Sequence, residues 1–203
     1  MAAGGLSHRR VTVADERLGA SLAPGFASLG WSVERLEVLV RRAGRPPVPV
    51  AGDEPRTDRR AADEVELETL RPLLSTLLRA MPQVRGEETV RQLLAESELT
   101  GRAAGTRRFA APAGGPYAAA CRLHLDGEGL AEIDDVGTLE DRRREGLGAV
   151  VVDAALGAAR TDGRDLVYLL ADEDDWPRGW YRRLGFVPAG RRWAFARRLD
   201  EQT

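Results

Sequence analysis

A short turn rich in arginine and glycine constrains the fold of this chain more than any other feature. Residues 143–148 read Arg-Arg-Glu-Gly-Leu-Gly, and they stand between a strand-like segment, 130–139, and an apolar helical segment that begins at Leu147. Glycines let the main chain approach a ligand closely, and the first turn of a helix leaves N–H groups without acceptors. A strand, a tight turn and a helix in this order therefore predict a main-chain site for an anion such as a pyrophosphate.

Two other phosphate-binding loops fit this turn less well. A Walker loop requires a lysine before Ser or Thr, and all 30 basic residues of the chain are arginine. The dinucleotide pattern Gly-x-Gly-x-x-Gly would place its third glycine at position 151, which is Val151.

The rest of the chain alternates between strand and helix patterns. Periodicity predicts a strand at 9–13, a helix at 18–29 and a strand at 36–41, and the segment 43–60, rich in Pro, Gly and charge, reads as a linker. The helix at 18–29 places four apolar residues on one stripe: Leu18, Leu22, Phe26 and Leu29. From Ala61 onward the predicted order is β-α-α-β-β-β-α-β-α-β, with segments at 65–67, 70–81, 87–94, 107–111, 117–125, 130–139, 147–160, 166–170, 176–184 and 191–198.

This order resembles the GNAT N-acetyltransferase family, because Tyr181-Arg182-Arg183-Leu184-Gly185-Phe186 also follows the turn at the expected distance. The resemblance implies the GNAT acyl-CoA N-acyltransferase fold, an α/β (α+β) fold with a mixed, mostly antiparallel central sheet flanked by helices. It places the acetyltransferase domain at 61–203, behind an N-terminal β-α-β extension and linker at 1–60.

The extension has a pattern of its own. Leu29-Gly30-Trp31 precedes a strand that ends in an arginine pair, and Leu184-Gly185-Phe186 does the same near the end of the chain. We therefore predict that residues 9–42 repeat the closing arm of the GNAT domain. A helix–glycine–strand unit that arose by chance is the alternative.

The resemblance implies acetyl-CoA as cosubstrate. Its pyrophosphate would be bound, mostly by main-chain donors, at Arg143, Arg144, Gly146, Leu147 and Gly148. Its pantetheine arm would enter where the strand at 130–139 separates from the next strand at a bulge, and it would be bound by the backbone of Val136, Gly137 and Thr138.

Asp174 stands where many family members have an asparagine that contacts the cofactor. An ionised aspartate accepts hydrogen bonds but donates none, so this contact is in question. The acidic run 172–175 would also suit the cap of a helix that begins near Trp176, or the entrance for a positively charged amine.

The chemistry implied by the resemblance needs a base and an acid. Glu132 is the candidate base, because histone-type members carry their catalytic glutamate at this position, fourteen residues before Gly146. Asp134 is the alternative, since it shares a strand face with Glu132, whereas Asp135 is expected to face the other way. Tyr181 is the candidate acid that protonates the departing thiolate. A tyrosine that serves only the core is its alternative.

The acceptor is expected to be a primary amine of a small molecule or peptide, which attacks the thioester directly. A non-catalytic acyl-CoA sensor or interaction module of the same fold remains open, as does transfer to a hydroxyl or of a longer acyl chain. Family members are often homodimers, so a homodimer is also an expectation.

Composition excludes several classes of protein. A formal net charge of −2 does not imply a basic surface for nucleic acid, so no nucleic-acid partner is expected, and no window approaches the roughly 18 apolar residues of a membrane span. The single cysteine, Cys121, allows no internal disulfide, which favours a reducing cytoplasm. It is expected in the core, and with two histidines and no ligand spacing we predict no metal site. His124 shares a strand face with Arg122, which indicates a wet face or a pocket rim.

Overall fold

The computed structural model describes residues 8–44, 61–82, 84–103, 105–125 and 129–198. Within these ranges the chain forms a mixed α/β fold of eight strands and five α-helices, and the strands are mostly antiparallel. Most of the predicted tail and linker, at residues 1–7 and 45–60, lies outside the described residues.

The element order from Ala61 onward confirms the predicted order. The elements are β1 His8–Val13, α1 Glu16–Ser28, β2 Ser32–Arg42, β3 Asp63–Glu64, α2 Leu67–Arg79, α3 Glu87–Ala103, β4 Arg107–Pro112, β5 Tyr117–Leu125, β6 Leu130–Thr138, α4 Leu147–Thr161, β7 Leu166–Asp172, α5 Pro177–Arg183 and β8 Val187–Arg198. A single 3-10 turn, Glu140–Arg142, lies between β6 and α4.

Two predicted segments in the first half of the domain are wrong in their bounds. The strand placed at 65–67 is Asp63–Glu64, and Leu67 instead opens α2, where it is buried together with Leu70 and Leu73. Burial at this helical spacing fixes Leu67 in the helix. Helix α3 continues beyond the predicted end at residue 94, and an ion pair between Arg102 and Glu98 supports its last turn.

The chain divides into two compact units. We call residues 41–169 the central unit, and residues 1–40 together with 170–203 the terminal unit. Strands β2 and β7 cross the boundaries between the units.

In the central unit the strand order is β7-β6-β5-β4-β3, and only the β6–β7 pair is parallel. Leu70 and Leu73 of α2 pack against Ala120 of β5, whereas the next residue, Cys121, donates a hydrogen bond through Sγ to the carbonyl oxygen of Val151 in α4 at 3.3 Å. Because successive strand residues face opposite sides, α2 and α4 cover opposite faces of this sheet.

Helix α4 is held by an apolar face. Its buried residues recur at helical spacing and include Leu147, Val151, Val152, Ala155, Leu156 and Ala159. Each fully buried Leu or Val side chain contributes about 1.5–3 kcal/mol, so this face fixes the position of the turn from which α4 begins.

In the terminal unit β8 lies between β1 and β2, and both pairs are antiparallel. Helix α1 packs on β8: the ring of Phe26 stacks on Phe195, with centroids 4.2 Å apart, and Gly19 lies against Trp193. The predicted stripe is therefore wrong in part. Leu18, Leu22 and Leu29 are exposed, because the helix turns its small residue Gly19 towards the large Trp193 ring.

Two helix ends in the terminal unit are built alike. After α1, Gly30 has φ +74° and the N–H of Trp31 bonds to the carbonyl of Phe26 at 3.1 Å. After α5, Gly185 has φ +87° and the N–H of Phe186 bonds to the carbonyl of Tyr181 at 3.2 Å. In each, the two aromatic rings meet edge to face, at 74° and 70°. Both are Schellman closures, in which only glycine adopts the left-handed position without strain. That 9–42 is a repeat stays a prediction.

Candidate functional site

The turn before α4 contains two left-handed residues. After the 3-10 turn, Arg143 is extended, Arg144 has φ +67° and Gly146 has φ +80°. Helix α4 then begins at Leu147. A left-handed residue followed by a helical one directs neighbouring N–H groups to the same side, which forms a concave site for an anion.

The N-terminus of α4 has backbone N–H groups without an acceptor within the helix. The N–H groups of Ala149 and Val150 bond to the carbonyl oxygen of Gly146, at 3.0 and 3.2 Å. The two earlier helical residues, Leu147 and Gly148, have no acceptor one turn back in the helix. Among the described residues no side chain caps the N-terminus of this helix, and its first turn contains no acidic residue. The helix dipole therefore favours an anion here.

Three consecutive arginines at this turn differ in their contacts. Arg142 is bound within the protein, by Glu145 at 2.9 Å and by the carbonyl oxygen of Ala113 at 3.3 Å, so it fixes the shape of the turn. Arg143 and Arg144 are exposed and have no carboxylate partner among the residues that the structure describes. The five predicted pyrophosphate-binding residues thus lie in one continuous loop, and their role stays a prediction.

A β-bulge interrupts β6 directly before this turn. Arg122 of β5 pairs with Asp134, but Ala120 pairs with Gly137. Between these two pairs β6 advances by three residues while β5 advances by two, so β6 contains one extra residue. The extra residue increases the local twist of the strand. Val136, Gly137 and Thr138, the predicted pantetheine contacts, lie at the end of the bulge and are half-buried.

Gly137 has a packing reason to be glycine. A Cβ atom at this position would lie 2.7 Å from Cδ1 of Leu77 in α2. A larger residue at this point of the strand would therefore require the side chain of Leu77 to move.

The candidate base lies where β6 and β7 still pair. The parallel ladder runs from Leu130 opposite Leu166 to Glu132 opposite Tyr168, which is its last pair within the central unit. The Tyr168 hydroxyl donates to Oε2 of Glu132 at 3.0 Å, and His124 stands opposite Glu132 on β5. Glu132 is half-buried. Sequence reasoning missed Tyr168, because a tyrosine within an apolar run carries no signal of its partner across the sheet.

The expectation that Asp135 faces away from Asp134 is wrong. The guanidinium of Arg122 binds both carboxylates through Nη2, Asp134 at 2.9 Å and Asp135 at 2.6 Å. Asp135 is left-handed, with φ +50°, so the bulge breaks the strand alternation at this residue and returns its side chain to the face of Asp134.

The surroundings of Asp135 raise the pKa of its carboxyl to about 6. Desolvation by the surrounding protein is the main cause and the neighbouring charge of Asp134 the second, and Arg122 offsets them only in part. The side chain nevertheless keeps 49% of its surface exposed, which limits the desolvation. Asp134 and Asp135 are thus already paired with one cation, which weakens Asp134 as the alternative base.

His124 and Arg122 share a polar face, as predicted. Nδ1 of His124 lies 2.7 Å from the Thr106 hydroxyl, and burial, with Arg122 as the second cause, lowers the pKa of the imidazole. This shift favours the neutral form of the imidazole. Arg122 also donates to the hydroxyl of Ser97 on α3, at 3.1 Å, so α3 covers this end of the sheet.

Buried Arg108 completes this face and was also missed. Its backbone stands opposite that of Arg122 in the antiparallel β4–β5 ladder. Its side chain donates a hydrogen bond to the carbonyl oxygen of Ser97 at 3.2 Å. Desolvation, followed by the charge of Arg122, lowers the pKa of Arg108. We call Arg108, Arg122, His124, Glu132, Asp134 and Tyr168 the polar face of the central unit.

Tyr181 lies in the terminal unit. Its side chain is buried, with 8% of the residue exposed, and its ring packs edge to face against Phe186 at 6.0 Å. Its role as acid stays a prediction.

The prediction that the acidic run caps α5 is wrong. The cap residue of α5 is Trp176, and within the described part of the chain the helix has neither a side-chain cap nor an acid in its first turn. Asp172 and Asp175 instead accept N–H bonds within the preceding turn, from Asp174 at 3.0 Å and from Trp176 at 2.7 Å. The side chain of Asp174 is exposed.

Glu173 in the same run is held inside the terminal unit. Its carboxylate binds Arg35 and also Arg191, the latter at 3.1 Å. These two hydrogen bonds, with that of Arg35 the stronger, lower the pKa of Glu173 to about 2. A cationic amine that entered here would therefore have to compete with Arg35 and Arg191 for this carboxylate.

Two classes of feature are not found in the described part of the chain. No group of three or more His, Cys, Asp or Glu side chains there could hold a metal ion. None of the described helices has the length and apolar character needed to cross a bilayer.

Comparison with known proteins identifies relatives at the level of the family. The model of the acetyltransferase (GNAT) family matches residues 70–186. The match includes β6, the turn, α4, β7 and α5, so it spans every predicted site residue. Among curated proteins no match is found.

Solved structures share the fold at low sequence identity. A functionally unknown conserved protein from Staphylococcus epidermidis is 18% identical, with a TM-score of 0.71 over 95% of this chain and 73% of its own. A GCN5-related N-acetyltransferase from Kribbella flavida is 21% identical, with a TM-score of 0.61 over 93% and 67%. A tandem GNAT protein from the clavulanic acid biosynthesis pathway is 20% identical, with a TM-score of 0.60 over 97% and 65%. This chain thus spans roughly two thirds of the length of these neighbours.

Proposed function

Because this chain belongs to the GNAT acetyltransferase family, we propose that it is an N-acetyltransferase. It transfers an acetyl group from acetyl-CoA to a primary amine of a small molecule or peptide. A reducing cytoplasm is the proposed compartment, and the free thiol of buried Cys121 suits it.

The proposed reaction is a direct displacement. The amine nitrogen attacks the thioester carbonyl carbon, a C–N bond forms, and the C–S bond breaks with its electron pair on sulfur. Glu132 takes the proton that the amine loses, directly or through a water molecule, and the thiolate of coenzyme A takes a proton from an acid, for which Tyr181 is the candidate. General acid or base help of this kind is worth about 10²–10⁴ in rate.

The observation that carries the proposal is the turn at 143–148. Among the described residues, it combines a left-handed residue before the helix, a helix N-terminus with no side-chain cap and no acid in its first turn, and two exposed arginines without carboxylate partners. A diphosphate carries the charge and the acceptor atoms that this arrangement lacks.

A thermal-shift experiment with acetyl-CoA tests the binding step. At a hundredfold excess over its Kd the ligand adds about 2.7 kcal/mol, which raises Tm by about 5–10 °C for a chain of this size. In Gly146→Asp the added carboxylate lies at the turn, so the shift is expected to disappear.

Gly163→Asp is the matched control for this experiment. Gly163 follows the other end of α4 and has φ +72°, and the space that a Cβ would enter there is open to at least 4 Å. The same change therefore introduces similar backbone strain away from the turn. It is expected to keep the full ligand shift. Equal shifts in the wild type and in Gly146→Asp would refute the placement of the pyrophosphate.

Turnover distinguishes the enzyme from an acyl-CoA sensor. Thiol release from acetyl-CoA is measured with a panel of primary amines, and the expected result is amine-dependent release. Binding without release for any amine would favour the sensor.

A further inference from the structure

We propose that Tyr168 is a positioning residue for Glu132: its hydroxyl holds the carboxylate in place and keeps it ionised. This inference rests on the proposed function of Glu132 as the base. Tyr168 itself touches neither acetyl-CoA nor the acceptor amine in this proposal, and it acts only through Glu132.

The geometry starts from the backbone. Glu132 and Tyr168 are directly paired across the parallel strands β6 and β7, so their side chains leave the sheet on the same face. Oη of Tyr168 lies 3.0 Å from Oε2 of Glu132. A hydroxyl at this distance donates to a carboxylate, and such charge-assisted bonds are stronger than neutral ones.

The Glu132–Tyr168 pair lies where regular pairing of β6 ends. It is the last pair of the β6–β7 ladder in the central unit, and the bulge with left-handed Asp135 begins two residues further along β6. Beyond Glu132 the backbone of β6 is thus irregular. A glutamate has three rotatable side-chain bonds, and an anchor on the neighbouring strand removes much of that freedom.

Other groups of the polar face have contacts of their own. On β5, Arg122 is bound by Asp134 and Asp135, and His124 lies 2.7 Å from Thr106. On α3, Glu96 acts on Asp135 as a further negative charge. Tyr168 contacts Glu132 from the β7 side, across their directly paired backbones.

The bond has a defined effect on proton transfer. A donor to the charged form of a carboxylate favours that form, so the tyrosine keeps Glu132 ready to accept a proton at lower pH. When Glu132 takes the proton from the amine, Tyr168 retains its own. No proton passes through the phenol.

The test is Tyr168→Phe, which removes one oxygen atom and keeps the ring. We expect the acid limb of the pH profile of kcat/KM to move up by about one pH unit, and kcat on the plateau to fall about tenfold. The KM for acetyl-CoA should change by less than about twofold, because the turn at 143–148 is untouched. The double variant Glu132→Gln with Tyr168→Phe should be no slower than Glu132→Gln alone.

Tyr117→Phe is the matched control. The Tyr117 hydroxyl also donates to a carboxylate at 3.0 Å, that of Asp63, but at the start of β5 and away from the polar face. It should leave the pH profile in place. An unmoved profile in Tyr168→Phe, or additive losses in the double variant, would overturn the positioning role.

A second readout separates failure of this inference from failure of the proposed function. The side-chain carboxyl of Glu132 is followed by carbon NMR during a pH titration and assigned by its loss in Glu132→Gln. Its midpoint should rise in Tyr168→Phe and stay unchanged in Tyr117→Phe, even if no amine is acetylated. An unchanged midpoint in Tyr168→Phe contradicts the inference regardless of activity.

Discussion

At the scale of single residues, the polar face of the central unit separates two carboxylates that the sequence pattern left as alternatives. Asp134 is bound by Arg122, which also binds Asp135. Glu132 instead accepts from the neutral hydroxyl of Tyr168. To act as the base, Asp134 would have to give up its ion pair with Arg122, which makes it the weaker candidate of the two.

Glu132→Gln is therefore expected to lower kcat by about 10²–10⁴, because the amide is isosteric but takes no proton. The acetyl-CoA thermal shift should remain. Asp134→Asn serves as the comparison and should cost much less activity, since its carboxylate pairs with Arg122. The reverse order of the two variants in a thiol-release assay would assign the base to Asp134.

Asp135 gives a prediction for stability against pH. The folded protein raises the carboxyl pKa from the ordinary 3.8 to about 6, so the folded state holds this proton to higher pH than the unfolded chain does. Between these two values ionisation of Asp135 progressively destabilises the fold, and above pH 6 the penalty is constant.

Asp135→Asn removes this penalty. Its stability relative to the wild type should be greater at pH 8 than at pH 4.5, by about 1 kcal/mol after allowance for the exposed half of the side chain. Urea unfolding at both pH values measures the difference. Asp141→Asn, on the exposed turn before Arg143, is the control. A gain for Asp135→Asn that is larger at pH 4.5 would contradict the sign.

At the scale of elements, helix α1 contains two glycines whose substitution by alanine is expected to change the stability of the protein in opposite directions. A Cβ on Gly19 would clash with the ring of Trp193, whereas a Cβ on Gly25 has no atom within 4 Å. Gly19→Ala should destabilise the protein by about 1–3 kcal/mol through overpacking. Gly25→Ala should stabilise it by about 0.5–1 kcal/mol through helix propensity. Denaturant unfolding of both variants checks the packing of α1, and equal effects would contradict it.

The elements also mark how far sequence reasoning reaches. Strand β6, the turn and α4 follow from local signals: an alternating strand, glycines at a bend and an apolar helical stripe. The bulge that reverses Asp135 depends on how β5 and β6 align, and the apolar stripe of α1 gives way to Gly19 because Trp193, far along the chain, occupies the space. The contacts of Tyr168 and Arg108 could not be predicted, because their partners lie on neighbouring strands of the sheet.

At the scale of the whole molecule, both ends of the chain contribute to the terminal unit. Strand β8 lies between β1 and β2, and α1 packs on it through the stacked rings of Phe26 and Phe195. The acetyltransferase domain expected at 61–203 would lose all three of these partners of β8.

We therefore expect a fragment of residues 61–203 to be insoluble or to lack a cooperative unfolding transition, because β8 would expose two unpaired edges. A fragment of residues 8–203 should fold like the full chain. Soluble yield and circular dichroism during heating compare the two. A soluble, cooperatively unfolding 61–203 fragment would instead support the boundary between residues 60 and 61.

The two helix ends that close on Gly30 and Gly185 differ in a single oxygen atom on their first ring. Phe26 and Tyr181 occupy the same place in the two closures, each facing an aromatic residue five positions later. Phe26 is thus the hydrocarbon counterpart of the candidate acid in a corner of the same backbone form, with Trp31 as its partner where Tyr181 meets Phe186. Substitution of Phe26 therefore measures what the first aromatic ring contributes to the stability of such a corner, at a position for which no catalytic role is proposed.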